Sequence, residues 1–276
     1  MKISVIIPTY NRSHVLARAL DSVLSQTLQV HEIIVVDDGS TDQTAQLIKD
    51  KYQSVIYIEQ ANQGVSAARN AGILKSSGDW IALLDSDDSW LTNKLEIQYQ
   101  AIKSQANYRL CHTEEIWIRN GVRVNQMNKH QKHGGYIFEK CLPFCVISPS
   151  SVLMERSVFN EFGLFDESYP ACEDYEMWLR LCAELPVLYV ETPLINKFGG
   201  HEDQLSRQYW GMDRFRVKAL HKIIQSCNLT PEYRYDALGM LLQKLDILQK
   251  GAVKHGNNEL LQFCSELQLI YSTNQD

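Results

Sequence analysis

Four short apolar runs, "KISVIIP" (2–8), "EIIVVDD" (32–38), "VIYIEQ" (55–60) and "WIALLD" (80–85), alternate with three stretches of helical spacing. That alternation constrains the chain more than any other feature. The helical stretches are "SHVLARALDSVLSQ" (13–26), "TAQLIKDKY" (44–52) and "GVSAARNAGILKS" (64–76). In the first of them Val15, Leu16, Ala19, Leu20, Val23 and Leu24 line one face, and Ser13 stands where an N-cap belongs. Strands that are apolar on both faces and joined through helices imply a parallel sheet covered on both sides by right-handed crossovers. The predicted class is α/β, with a mostly parallel sheet sandwiched by helices.

Ligands of such sheets sit beyond the carboxyl ends of the strands. The polar clusters of this half all fall there: "TYNR" (9–12), "DDGS" (37–40) and "DSDD" (85–88). Three clusters on one rim predict a single crevice. Asp85, Asp87 and Asp88 put three carboxylates within four positions, and such crowding of like charge calls for a cation. Clustered hard oxygen ligands suit Mg2+ or Mn2+ rather than zinc. The alternative is a solvated loop start, since aspartate is a common turn residue. An acid beyond the second strand, Asp38, is placed to accept hydrogen bonds from a base or sugar, and Tyr10 could stack on that base. The segment "PTYNRS" lacks the GxGxxG turn of a dinucleotide fold, so a dehydrogenase is disfavoured.

The net charge of −6 and the absence of any broad basic field exclude nucleic acid as a partner. Seven cysteines without a CxxC pair suggest free thiols, not a disulfide framework or zinc ribbon. The apolar stretch at the N-terminus is interrupted by Pro8 and is too short for a signal or spanning helix, so a cytoplasmic protein is expected. The second half has isolated apolar pieces, one short strand candidate at 187–190 and a helical pattern at 173–184. Helical patterning returns from about Tyr209 to the end. The expected organisation is a domain over 1–207, divided into halves 1–105 and 106–207, with a helical extension over 208–276. Trp210, Phe215, Leu220, Ile223 and Ile224 of that extension could pack on the core, form a homodimer, or rest on the inner face of a membrane.

The ordered motifs "SVIIPTYNR", "IIVVDDGSTDQT", "NQGVSAARNAGI", "GDWIALLDSDD" and "EDYEMWLRL" together resemble the inverting family 2 glycosyltransferases with the A-type fold, over roughly residues 1–205. The resemblance implies a nucleotide-binding sheet and transfer of a sugar from a nucleoside diphosphate sugar, with UDP the leading candidate. It also implies an acceptor hydroxyl on a glycan, a lipid-linked sugar or a protein, as in polysaccharide or glycoconjugate synthesis. The first half would bind the nucleotide sugar and the second the acceptor. Pro8, Tyr10 and Arg12 match pocket-lining positions, Asp38 the base-reading acid, and Arg69 a residue near the base and phosphates. Asp85 and Asp87 match the DxD motif, in which Asp87 binds Mn2+ or Mg2+ and Asp85 supports ribose or metal, while the role of Asp88 is left open. Asp174 matches the general base, with Glu173 beside it, and His201 matches a histidine that often completes the metal site.

Several features have plainer readings. His201 could be a surface histidine in a glycine turn, and Trp178 could be core as readily as a sugar-binding wall. The segment "MNKHQKHGGY" (127–136) lacks carboxylate or cysteine partners at ligand spacing, which favours a mobile loop over the acceptor site. Two rival functions stand beside the transferase. One is a haloacid-dehalogenase-type phosphatase, whose nucleophilic DxD follows the first strand rather than the fourth. The other is a nucleotide-sugar-binding module without turnover, which would have little reason to keep Asp38, Asp87 and Asp174 together.

Overall fold

The computed structural model describes residues 1–105, 107–200, 209–226 and 228–272. Strands β1 (Ile3–Thr9), β2 (Glu32–Asp37), β3 (Ile56–Glu59) and β4 (Trp80–Leu83) pair in parallel in the order β3-β2-β1-β4. Helices α1 (Ser13–Leu24), α2 (Thr44–Lys51) and α3 (Val65–Lys75) connect them, as the alternating pattern predicts. Side chains of a strand point alternately to its two faces. Val5 and Ile7 of β1 therefore pack with Leu16, Leu20 and Val23 of α1, while Ile6 joins Ile73 of α3 on the other side. Gly72 permits the close approach of α3, because any Cβ there would collide with Ile6 Cγ2.

The start of α1 differs from expectation. Ser13 is the first helical residue, Arg12 occupies the cap position without a side-chain bond, and Ser13 N–H donates to Asp42 Oδ2 at 3.0 Å. An acid from the neighbouring loop thus satisfies a donor that a local cap would otherwise meet.

The second half holds β5 (Ser89–Trp90), α4 (Lys94–Ser104), β6 (Leu110–Arg119), β7 (Val122–Val124), α5 (Phe138–Cys141), β8 (Leu153–Glu155), α6 (Arg156–Phe162), α7 (Glu173–Cys182) and β9 (Leu188–Gly199). The sheet continues from β4 as β8-β6-β9-β5, with β7 on β6. Strands β5, β7 and β8 run against the rest, so the sheet is mostly parallel in direction but mixed in this half. The short strand expected at 187–190 extends through Gly199, and it pairs with β6 across two register shifts next to Glu114.

Helices α8 (Asp213–Ser226), α9 (Pro231–His255) and α10 (Asn258–Ser272) follow. Of the three roles open to this extension, packing on the core is what the structure shows: Phe215, Leu220, Ile223 and Ile224 share a cluster with Met177 and Trp178 of α7. Trp178 is itself core, at 1% exposure. Local chemistry bounds α9, since Thr230 caps it by accepting from Tyr233 N–H at 3.1 Å, Pro231 occupies its first position, and Gly256 ends it at φ +65°. Among the described residues no helix is long and apolar enough to cross a membrane, and the described cysteines are free thiols.

His112 of β6 is fully buried, with Nε2 2.8 Å from the His133 carbonyl, so the neutral tautomer with Nε2–H can donate there. Burial first, and Lys132 second, lower its pKa to about 3. The unfolded imidazole takes up its proton near pH 6.5, roughly, so this contribution to stability is complete above that value and falls as acid is added toward the folded pKa. At pH 5 it has cost about 2 kcal/mol. Urea denaturation at pH 7 and pH 5 is expected to show that difference between wild type and His112→Gln, and parallel pH dependence of the two would count against it.

Candidate active site

The three strand-end clusters meet in one crevice of about 860 Å3, lined by Pro8, Tyr10, Arg12, Asp38, Arg69, Asp85, Asp87, Glu173 and Asp174 among others. The loops after β1 and β2 are fastened to each other. Asn11, at φ +52°, donates from its backbone to Ser40 Oγ at 2.8 Å, and its Oδ1 accepts from Thr41 N–H at 2.8 Å. Asparagine is among the few residues that occupy this left-handed region readily. Tyr10 stands 47% exposed at the mouth.

Asp38 is buried in the wall. One carboxylate oxygen accepts from Gln60 Nε2 at 2.8 Å and Gln63 N–H at 2.9 Å, and the other from Gly64 N–H at 2.7 Å. It holds the segment leading into α3 as well as facing the crevice. Its neighbour Asp37 points elsewhere, accepting from Ser40 N–H at 2.8 Å and from Tyr57 Oη–H at 2.5 Å.

The acids of "DSDD" divide their work by environment. Asp85 accepts from Arg69 Nη2 at 2.8 Å. Asp87 keeps its carboxylate at the crevice, 3.7 Å from Arg12 Nη1. Asp88, whose role the motif leaves open, is almost fully buried: Ser150 Oγ donates to it at 2.6 Å and Phe198 N–H at 3.0 Å. Burial first, then Asp87 and Asp85, push its carboxyl well above the usual range. Asp88 is thus a tie between this loop and β9.

Arg69 crosses the floor. Its guanidinium is 3% exposed and donates to Asp85 and, through Nη1, to Glu173 Oε1 at 2.7 Å. Burial opposes its charge, but the two carboxylates outweigh burial and raise its pKa. Glu173 opens α7, and the residue before it, Cys172, has φ +63°, a conformation costing on the order of 1–2 kcal/mol for a side chain of this kind. Asp174 follows at the helix start, where the dipole favours negative charge. Its Oδ1 accepts from Tyr175 N–H at 2.7 Å and its Oδ2 from the Cys145 thiol at 3.1 Å. Burial, then Asp174 itself, push that thiol well up, so it stays a protonated donor.

Lys197 of β9 also lines the crevice, a residue for which the sequence offered no motif. It donates to Ser148 Oγ at 2.7 Å. Burial works against its charge, but Glu115, Asp88 and Asp174 together raise its pKa. His201, expected to complete a metal site, lies outside the described residues. Among the described residues there is no group of three His, Cys, Asp or Glu able to hold a metal by themselves. The donor set still fits a shared ion: magnesium is commonly held by one or two carboxylates plus substrate phosphates, and Asp87 with Asp85 offers that at the crevice wall.

An α/β sheet that gathers acids and arginines at its carboxyl edge, matched from residue 4 to residue 163 by the model for "Glycosyl transferase family 2", defines a glycosyltransferase domain. The chain belongs to glycosyl transferase family 2. It is 33% identical over 183 residues to WfgD of Escherichia coli, described as a UDP-Glc:alpha-D-GlcNAc-diphosphoundecaprenol beta-1,3-glucosyltransferase, covering 65% of this chain and 69% of that one. An uncharacterized glycosyltransferase of Rickettsia bellii is 35% identical over 208 residues, covering 75% of this chain, which spans only 28% of that protein's length. Among solved structures, S. aureus TarS in complex with UDP-GlcNAc superimposes with a TM-score of 0.69 at 22% identity, over 91% of this chain and 73% of that one. That likeness establishes the fold.

Proposed function

We propose that this chain is an inverting glycosyltransferase that moves a sugar from a UDP-sugar to an acceptor hydroxyl. The observation that carries the reading is the convergence of Asp38, Asp87 and Asp174 on one crevice, with Arg12 and Arg69 between them. In that reading Tyr10 and the wall built by Pro8 and Asp38 receive the nucleotide, while Arg12 faces its phosphates. Asp87, aided by Asp85 and by His201, would hold Mn2+ or Mg2+. Such an ion supplies neutralisation of the charge that develops on the departing diphosphate.

The acceptor hydroxyl attacks the anomeric carbon from the face opposite the nucleotide. Its oxygen forms the new glycosidic bond as the bond from that carbon to the diphosphate oxygen breaks, and the electron pair leaves with UDP. Asp174 takes the hydroxyl proton. The tie from Cys145 and the bond from Tyr175 N–H hold both carboxylate oxygens in place for this task. The phosphatase alternative is weakened because the acids follow β4, whereas its nucleophilic motif follows the first strand. The activity described for WfgD, on a diphosphate-linked lipid acceptor, supports a similar acceptor here.

The test is calorimetric titration with UDP. Wild type is expected to bind UDP at least tenfold more tightly with Mn2+ or Mg2+ than with chelator, and Asp87→Ala to lose that dependence. Equal affinity under all four conditions would remove the metal assignment, and absence of UDP binding would remove the donor assignment.

A further inference from the structure

Beside Asp174, away from the nucleotide wall, three rings form a row. Trp117 of β6 and His130 lie with centroids 5.0 Å apart, and His130 and Phe144 follow at 6.2 Å. All three are partly exposed. None of the three rings lines the crevice itself, but neighbours at both ends connect the row to it. Phe144 directly precedes Cys145, whose thiol touches Asp174, and Trp117 is the cross-strand partner of Lys197, whose Nζ is 5.9 Å from the indole and which lines the crevice.

Each end of this row sets two cations about one carboxylate, and Lys197 also faces Asp88 and Asp174. Lys132 and Lys197 share the single carboxylate of Glu115, at 3.2 Å and 3.9 Å. At the other end Arg216 of α8 and Lys244 of α9 share Asp213, at 2.9 Å and 3.0 Å, and both lie against the Phe144 ring, at 5.7 Å and 5.5 Å. The Nε of Arg216 is buried without a hydrogen-bond partner among the described residues. A guanidinium with a donor to spare beside an aromatic face suits an oxyanion. An aromatic surface with a few placed polar groups suits the C–H face of a sugar.

We propose that Trp117, His130 and Phe144, framed by Lys197, Arg216 and Lys244, form the acceptor subsite, and that the acceptor is a saccharide carrying a phosphate or diphosphate. This rests on the glycosyltransferase reading above and deepens it. It also gives α8 and α9 a part in substrate choice, since they supply two of the three cations.

The test is calorimetric titration of the full chain in Mn2+ buffer with the butyl diphosphate esters of glucose, galactose and N-acetylglucosamine, with the matching butyl glycosides, and with UDP separately. At least one diphosphate ester is expected to bind at least tenfold more tightly than its glycoside. Arg216→Gln, in which retained UDP affinity reports a folded chain, should erase that preference, whereas Trp117→Leu should weaken ester and glycoside alike by about tenfold. Failure of all three esters to bind, or an unchanged preference in Arg216→Gln, would overturn the subsite. UDP binding without ester binding removes the subsite alone, and ester binding without UDP binding removes the donor reading alone. A final arm compares the butyl ester with a polyprenyl diphosphate sugar in neutral phosphatidylcholine vesicles: tighter capture of the latter supports the subsite with a lipid-borne substrate, and equal affinity supports it with a soluble one.

Discussion

Replacing Asp174 by Asn is expected to cut sugar transfer by about 10²- to 10⁴-fold, the usual cost of losing a positioned general base. UDP affinity should stay within roughly three-fold, because asparagine keeps the shape of the side chain and can still accept from Tyr175 N–H. What it cannot do is take the acceptor proton. The competing role for an acid at this position is electrostatic support of the start of α7, worth about 0.3–1 kcal/mol of stability and nothing in turnover. Transfer to a working acceptor and UDP titration on the same preparation separate the two. Near-normal transfer would assign Asp174 to the helix and leave the reaction without its base, because Glu173, the next acid, is buried against Arg69.

Arg69→Met should be the most destabilising single change in the crevice, lowering the free energy of unfolding by about 3–5 kcal/mol in urea. The cause is the pair of partners left behind. Glu173 is buried, and both it and Asp85 would lose their direct counter-charge. Adding Glu173→Gln should return part of the loss, since a neutral amide needs no cation, so the two changes should be clearly non-additive in a double-mutant cycle. Additive losses would show that the pair contributes little as a pair.

The first hundred residues were legible because each strand is apolar on both faces and each helix between them carries one apolar stripe. A parallel sheet needs both. Beyond Trp90 the signals break down for definite reasons. In α4 the side chains of Lys94 and Gln98 are buried and bonded to each other at 2.7 Å, so the helix carries polar residues where a stripe should be apolar. Strands β6 and β9 include Glu114, Glu115 and Lys197, whose partners lie far away in sequence, and the register shifts interrupt the two-residue alternation. In the site, the resemblance picked out residues that line the crevice and set Asp87 apart by the DxD spacing, but no motif says what Asp88 does. Their difference depends on Ser150 and the amide of Phe198, 62 and 110 residues downstream of Asp88. Cys145 and Lys197 escaped notice for the same reason, each owing its place to a neighbour that only folding provides.

The bridge made by Arg69 has a consequence for anyone who would rebuild this enzyme. The stretch between Asp85 and Glu173 is anchored at both ends to one guanidinium on α3, which itself belongs to the first half of the chain. A chimaera that exchanges the intervening segment for that of a homologue, while keeping these two acids and the arginine, would inherit the position of the adjacent Asp174, the proposed base, without having to encode it again. Acceptor contacts supplied by this segment could then be exchanged as a cassette with Asp174 already in register with the crevice, while those from Lys197, Arg216 and Lys244 would stay behind.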